Sequence, residues 1–242
     1  QMCIRDRCLT WPPCAAFFYG RYMAKRIQGS KGGGSSARTP TEQPDDLLSV
    51  AKAKILLALG EGEFAGGLTG QSIFLDGTPL LNADGSSNFS GVAWEFRPGN
   101  QAQKYIQGMP GSENEISLNG VVLPSATPWT RTFTNTQLSA VRLRIKWPSI
   151  FRQEDDGDLV GYSIKYAIDL QTNGGAFKTV INTAVTGKKS SGGYERRHRI
   201  NLPAGATTWT IRVRKITADP NSAKIGDSMT LHSYTEVIDA KL

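Results

Sequence analysis

The sequence predicts an all-β protein, and two observations carry this prediction. Apolar and polar residues alternate through most of the second half of the chain, as they do over 141–147. A period of two places one face of a strand in a core and the other face in water. The alternating stretches are separated by hairpin-type turn residues: Asp76-Gly77, Asp84-Gly85, Asn119-Gly120, Asp156-Gly157, Asn173-Gly174 and Ser191-Gly192-Gly193.

The composition is that of a folded protein. The chain has 242 residues, of which 39% are hydrophobic and 20% charged, so disorder along its whole length is excluded. The longest strongly apolar stretch, residues 55–59, is far shorter than the ~20 residues that a membrane-spanning helix needs. No membrane segment is therefore predicted.

The first 22 residues do not read as part of the fold. They hold all three cysteines, at positions 3, 8 and 14, and this odd terminal set cannot form a disulfide framework for the body. Residues 2–7 resemble translated sequencing-adapter read-through, and the segment lacks the tripartite pattern of a signal peptide. We interpret 1–22 as a non-native leader and Met23 as the start.

The next segment, residues 23–48, is predicted to be a flexible basic arm. It is rich in glycine, serine, proline and charge, and it offers almost nothing to bury. Only residues 46–57 are compatible with a helical turn or two.

Three stretches carry the clearest strand pattern: 141–147, 162–170 and 209–213. In each, the apolar positions share one face and the charged positions share the other. Arg214-Lys215 interrupts the third stretch before Ile216, which predicts a bulge.

The formal charge of +7 does not by itself predict a nucleic-acid partner. Most cations occupy outward positions of strands, where long charged side chains keep a sheet soluble. The densest basic cluster lacks interleaved exposed aromatics and is interpreted as an assembly or solvated surface. Its members are Lys188, Lys189, Arg196, Arg197 and Arg199.

No motif predicts catalysis, a cofactor or a metal. Residues 60–65 match GxGxxA, but Gly66 and Gly67 follow where a dinucleotide site needs a helix. The acidic residues of 154–158 lack the spacing of a calcium loop and are predicted to form a solvated hairpin tip. His198 shares strand parity with apolar neighbours and is predicted to be half-buried. The protein is expected not to be an enzyme, with no catalytic, cofactor-binding or metal-binding residue.

Six short segments, in order, resemble the central tail-tip attachment (host specificity) proteins of lambda-like long-tailed phages. The likeness spans essentially residues 23–242. The segments are the EGE-containing glycine stretch Gly60–Gly67, IFLDGTPL at Ile73–Leu80, FRPGNQ at Phe96–Gln101, TRTFT at Thr130–Thr134, LPAGATTWTIRVRKIT at Leu202–Thr217 and SYTEVIDAK at Ser233–Lys241.

This resemblance implies a homotrimeric hub in the virion tail tip. Such a hub closes the tail tube, contacts other tail-tip and tail-tube proteins, and anchors the fibre that meets the host receptor. The sequence is expected to be the N-terminal part of a longer protein, so receptor contact is expected only through a C-terminal part that it lacks.

The expected layout is an antiparallel hub β-domain interrupted by an inserted β-sandwich of fibronectin or immunoglobulin type. Residues 49–100 would form the first part of the hub domain, and 101–230 the inserted module. Residues 231–242 would form a strand that returns to the hub.

The alternative is a stand-alone β-sandwich that binds carbohydrate or a receptor. Such a module is expected to show a line of exposed aromatics. The four tryptophans of the body mostly lie within apolar alternation and are interpreted as core: Trp94, Trp129, Trp147 and Trp209.

Overall fold

The computed structural model describes residues 38–106 and 108–240, and the regular structure there consists of β-strands alone. No helix in these ranges is long and apolar enough to cross a membrane. The strands are β1 (Phe74–Leu75), β2 (Thr78–Pro79), β3 (Pro110–Val122), β4 (Trp129–Phe133), β5 (Ala140–Trp147), β6 (Phe151–Gln153), β7 (Leu159–Val160), β8 (Tyr162–Thr172), β9 (Lys178–Gly187), β10 (Tyr194–Asn201), β11 (Trp209–Lys215), β12 (Ile225–Gly226) and β13 (Thr230–Asp239).

Two four-stranded antiparallel sheets form a sandwich. The first has the order β10-β5-β13-β3 and the second the order β4-β11-β8-β9. A small sheet, β12-β6-β7, and the β1-β2 hairpin complete the regular structure of the described ranges. The predicted all-β class, with a β-sandwich module, is confirmed.

The core lies between the two sheets and is built from the alternation seen in the sequence. On β5, Leu143, Ile145 and Trp147 have no solvent exposure, whereas Arg144 and Lys146 between them face outward. Tyr166 of β8 packs against Trp147 with a ring-centroid distance of 5.3 Å. Each fully buried aliphatic side chain contributes about 1.5–3 kcal/mol through removal of its surface from water.

The bulge predicted at Arg214-Lys215 is absent. β11 pairs with β8 in unbroken register from Trp209 to Lys215, so Lys215 keeps the inward parity of its strand. Its ammonium group lies 2.7 Å from Asp219 and 2.6 Å from Asp227. These carboxylates neutralise the buried charge, and the strand can therefore continue through a lysine.

Asn119-Gly120, predicted as a turn between strands, lies inside β3. Both residues have positive φ, 54° and 77°, and the register between β3 and β13 shifts at this point, between Leu231 and Ser233. Because Asn and Gly tolerate the left-handed region, the same dipeptide serves a bulge as readily as a hairpin.

The prediction that residues 231–242 form a strand returning to the hub is wrong. Within its described residues, β13 lies between β5 and β3 in the first sheet, and Ser233 pairs with Arg144 on one side and Ser117 on the other. Leu231, Tyr234 and Val237 are buried, so this strand belongs to the interior of the sandwich. Its apolar face suits a central position in the sandwich better than a position at the edge of a separate hub sheet.

The described residues before β3 form little regular structure. Within 49–100 the only strands are those of the β1-β2 hairpin, in which Asp76 and Gly77 have the positive φ values of a tight turn. The sandwich strands begin at Pro110. The predicted hub domain of residues 49–100 thus contains no larger sheet in this structure, and its completion by other chain segments stays a prediction.

Candidate assembly surfaces

Residues 40–47, which we call the strap, lie against the sandwich. The strap forms a parallel bridge between Glu42 and Leu159. The Gln43 amide donates to the Leu159 carbonyl at 2.9 Å, and the Leu159 amide donates to the Thr41 carbonyl at 3.0 Å. The Thr41 amide also donates to the Asp158 carboxylate at 2.8 Å. The strap therefore adds a short extended segment beside β7.

A buried lysine holds the middle of the strap. The Lys188 side chain is only 1% exposed, and its Nζ donates to Glu42 Oε1 at 2.6 Å and Asp45 Oδ1 at 3.2 Å. Ser190 Oγ lies 3.1 Å from the same ammonium group. Burial disfavours the charged lysine, but the hydrogen bonds from its ammonium to Glu42 and Asp45 outweigh burial and raise the pKa of Lys188.

The end of the strap is held by backbone donors. The Lys188 amide donates to Asp46 Oδ1 at 2.6 Å, and the Ser190 amide donates to Asp45 Oδ1 at 2.9 Å. The Ser190 amide is the main cause of the lowered pKa of Asp45; burial opposes it, and the Ser190 hydroxyl and Lys188 reinforce it. Both strap aspartates thus accept hydrogen bonds from the residues that directly follow β9.

Two glycines make room for the strap. A side chain at Gly187, whose φ is +144°, would approach Asp46 Oδ1 to 2.5 Å and Leu47 to 2.9 Å. One at Gly157, whose φ is +92°, would approach Pro40 to 2.8 Å. We call the receiving surface, residues 157–161 and 187–190, the groove. Its backbone, its glycines and its lysine all fit one extended acidic segment.

The predicted flexible arm is therefore wrong for its described end, residues 40–47. Composition predicted a solvated segment because the strap has almost no apolar residue to bury. The compensation is polar instead: carboxylates of the strap meet a lysine more than 140 positions away. Residues 23–37 of the arm and the leader 1–22 lie outside the described residues.

A largely apolar segment follows the strap, and its large hydrophobic side chains are exposed in the described chain. Residues 48–59, which we call the apolar run, include Leu48 at 75% exposure, Ile55 at 78% and Leu57 at 71%. Lys52 and Lys54 lie on the opposite parity from Ile55 and Leu57. Large exposed apolar surfaces of this kind mark sites of interaction.

The segment from residue 60 to residue 105 folds on itself only locally. Phe64 and Phe96 stack edge to face at 5.4 Å, and the Phe64 amide donates to the Pro98 carbonyl. Phe74, at the hairpin, is 59% exposed, and Trp94 is 38% exposed. The interpretation of Trp94 as core is therefore wrong, whereas Trp147 and Trp209 are buried and Trp129 packs against the core.

The outer face of the first sheet carries cross-strand pairs of opposite charge. Arg144 donates to both carboxylate oxygens of Glu195, at 2.9 and 3.0 Å, and Arg142 pairs with Glu113. Cross-strand pairing of this kind places the charges on a solvated surface. The charged residues predicted to face water on β5 do so.

The basic cluster predicted as one surface divides into separate roles. Lys188 is buried in the groove, and Arg199 pairs with Asp239 at 2.6 Å. Arg196 points between the sheets and donates to the Ala184 carbonyl at 2.8 Å. Arg197 is exposed. The cluster fails as a unit because strand parity sends alternate residues to opposite faces.

His198 and the acidic residues of 154–158 lie in structural surroundings. His198 is half-buried, as predicted, and its Nε2 lies 2.9 Å from the Tyr166 hydroxyl; burial, with Arg196, lowers its pKa. Residues 154–158 form the turn between β6 and β7, with the Glu154 amide donating to the Asp158 carbonyl. In the described part of the chain no three His, Cys, Asp or Glu residues are placed to hold a metal. The absence of catalytic, cofactor and metal residues stays a prediction.

The two four-stranded sheets define the class of the protein, a fibronectin type III-like β-sandwich. A family model, "Tip attachment protein J, FNIII-A domain", matches residues 112–240. The chain belongs to the tip attachment protein J family. The matched range includes β13, in agreement with its place in the sandwich.

Two curated relatives extend the match beyond the sandwich. The chain is 48% identical over 221 residues to tip attachment protein J of Escherichia phage SECphi4 and 41% identical over 220 residues to that of Escherichia phage SECphi27. These alignments cover 89% and 90% of the chain but only 19% and 18% of the relatives. The chain thus spans about a fifth of the length of the relatives it matches.

The chain has only a weak likeness to two solved structures. The xylan-binding CBM22-1 domain of Paenibacillus barcinonensis is 7% identical to the chain. The alignment covers 57% of the chain and 90% of that domain, with a TM-score of 0.29. A protein from Sulfurospirillum deleyianum is 13% identical and covers 52% and 97%, with a TM-score of 0.28. Both likenesses are too low to support a shared function.

Proposed function

We propose that this chain is the N-terminal part of a structural hub in a phage tail tip. In this proposal the hub closes the tail tube and anchors the receptor-binding fibre, so that the virion can attach to its host and deliver DNA. Membership of the tip attachment protein J family supports the tail-tip role. The sandwich itself is a self-contained module with a complete core, as a decoration on a larger assembly would be.

The exposed apolar run is the observation that carries the hub role. Its odd-numbered residues from Ala51 to Leu59 are all apolar, whereas Lys52 and Lys54 lie on the even parity. Residues 51–55 alternate as a half-buried strand does, and residues 55–59 are apolar throughout, yet in the structure the segment joins no sheet. A strand pattern without a sheet favours burial against other parts of an assembly.

The proposed partners are two further copies in a homotrimer, together with neighbouring tail-tip and tail-tube proteins. Contact with the host receptor is assigned to parts of the full protein outside this sequence. No enzymatic role, membrane segment or nucleic-acid partner is part of the proposal. The isolated chain is expected to be mostly monomeric, because ordering the apolar segments carries an entropic cost that only the assembly offsets.

Substitution of the apolar run in the phage that carries this gene tests the proposal. Ile55→Asp with Leu57→Asp should abolish complete tailed particles by electron microscopy, because it places two carboxylates in the proposed interface. Ile216→Asp is the matched control, since Ile216 is 45% exposed on the sandwich and should leave particle yield unchanged. Normal particles from the double variant would contradict the hub assignment.

The alternative, a stand-alone carbohydrate- or receptor-binding module, has one observation in its favour, the exposed Trp94. Competition for adsorption separates the two functions. The hub proposal expects that the purified chain does not block adsorption of intact phage to host cells, and that a glycan array is blank. Inhibition at micromolar concentration would favour the binding module.

A further inference from the structure

The contact between strap and groove is complete in itself. The strap meets the sandwich through backbone pairing at Leu159, the Lys188 ammonium and the Ser190 donors. These receiving groups all lie on residues 157–161 and 187–190. The interface therefore needs nothing from the chain that connects strap to sandwich.

That connection is long and loosely attached. Residues 48–109 separate the strap from β3. For the described residues 48–106, the hydrogen bonds we observe join residues of this segment to one another, as between Phe64 and Pro98 or Leu80 and Ile73. An extended residue spans up to about 3.3–3.6 Å, so roughly sixty residues can reach well beyond one sandwich.

A long connector makes attachment within one chain only weakly favoured over attachment between chains. Flexible tethers hold two binding partners at an effective concentration in the millimolar range or below, and this falls as the tether lengthens. When copies are held side by side, or are concentrated to the millimolar range, a strap meets the groove of a neighbour at about the same concentration as the groove of its own chain. Exchange of an identical element then requires no new contact.

We propose that the groove is an exchangeable docking site for an acidic extended segment, and that its partner in an oligomer is the strap of a second copy. The charges fit this exchange: the strap presents Glu42, Asp45 and Asp46, and the groove presents Lys188 and Lys189. Strap from one copy and groove from the next would link neighbours head to tail. This inference concerns the isolated chain and does not rest on the tail-tip role.

Two full-chain variants with opposite charge reversals test it. The strap variant carries Glu42→Lys and Asp45→Lys, and the groove variant carries Lys188→Glu, so neither can dock its own strap. Mixed together, they restore one native pairing: the unaltered strap of the groove variant with the unaltered groove of the strap variant. The complementary reversed pairing, in which the two introduced lysines of the strap face the introduced carboxylate of the groove, forms at the same time.

We expect each variant alone to sediment as a monomer and the equimolar mixture to form a heterodimer as its concentration approaches the millimolar range. Hydrogen exchange in residues 40–47 of the groove variant, made with ¹⁵N to distinguish its peptides, should slow at least about tenfold on mixing. Wild type mixed with the strap variant is the control. The wild-type strap already has a native groove in its own chain, so moving to the other chain gains no pairing, and less heterodimer should form at each concentration than in the charge-reversed mixture.

Each contrary outcome overturns the proposal. A mixture that stays monomeric shows that the groove accepts only its own strap. Association without renewed protection of residues 40–47 shows that another surface, such as the apolar run, joins the copies. Circular dichroism and thermal melting verify that each variant folds. If the buried carboxylate of Lys188→Glu prevents folding, Lys188→Met takes its place.

Discussion

Arg214 donates two hydrogen bonds to the Asp169 carboxylate, from Nε at 2.6 Å and from Nη2 at 2.9 Å. Asp169 is 1% exposed although it faces outward from β8. Arg212 and Thr179 also donate to it, at 2.9 and 2.7 Å. Two guanidinium groups therefore cover and neutralise one carboxylate on the outer face of the second sheet.

This cluster predicts a specific loss of stability in acid. Burial opposes ionisation of Asp169, but the hydrogen bonds from Arg214, Thr179 and Arg212 outweigh it and lower the pKa to about 2. Because the folded pKa is below the unfolded value of about 3.9, the stabilisation is full above about pH 4 and is lost as the pH falls towards 2. Asp169→Asn should cost about 2 kcal/mol at pH 7 and almost nothing at pH 2.

Urea unfolding at a series of pH values measures this difference. Glu63→Gln, which alters an exposed carboxylate, is the control and should follow the wild type throughout. A constant difference between wild type and Asp169→Asn across the acid range would show that the lost contribution is packing and not ionisation.

Truncation tests the position of β13. A chain that ends at residue 230 should lose cooperative unfolding, because it removes Leu231, Tyr234 and Val237 from the core. Each such side chain contributes about 1.5–3 kcal/mol, against a typical total stability of about 5–15 kcal/mol. The chain ending at Leu242 is the control, and the measurement is a thermal melt followed by circular dichroism. A folded truncated chain would restore the boundary at residue 230.

Substitution of Gly187 should release the strap. Gly187→Ala adds a methyl group where Asp46 and Leu47 lie, so amide exchange in residues 45–47 should accelerate while the sandwich remains folded. Gly174→Ala is the matched control, since Gly174 also has positive φ but has open space around its Cα. If both variants leave the strap equally protected, the close approach at Gly187 does not hold it.

Removal of the inward lysine of β11 should be costly. Lys215→Met leaves Asp227, which is 8% exposed, without the ammonium group 2.6 Å away. An uncompensated buried charge costs about 3–5 kcal/mol. Denaturant unfolding should show a loss of this order, and the double variant Lys215→Met with Asp227→Asn should lose less than the sum of the two single changes. Strict additivity would argue against direct coupling.

Deletion of residues 1–22 should leave the melting temperature unchanged to within about one or two degrees, because terminal segments outside a core contribute little. The segment carries all three cysteines, so the shortened chain should also be insensitive to reducing agent. Differential scanning calorimetry of both chains compares the two temperatures. A drop of many degrees would show that the leader belongs to the fold.

The strands could be predicted from the sequence because strand parity is a local property. Alternation over 141–147 and 162–170 fixed which side chains enter the core. Asp76-Gly77 and Asn173-Gly174 fixed two hairpin turns, since their positive φ values suit few other residues. The outward position of Arg142 and Arg144 follows from the same parity. Strand parity also predicted that His198 is half-buried.

Partner choice was decided only in three dimensions. Nothing near β13 in sequence indicates that it lies between β5 and β3, because strand order depends on residues 84 to 129 positions earlier. In the same way, Lys188 and Lys215 look like surface lysines until the carboxylates that neutralise them are known. A buried charge is tolerated only beside its partner, and for Lys188 that partner lies 146 residues earlier in the chain.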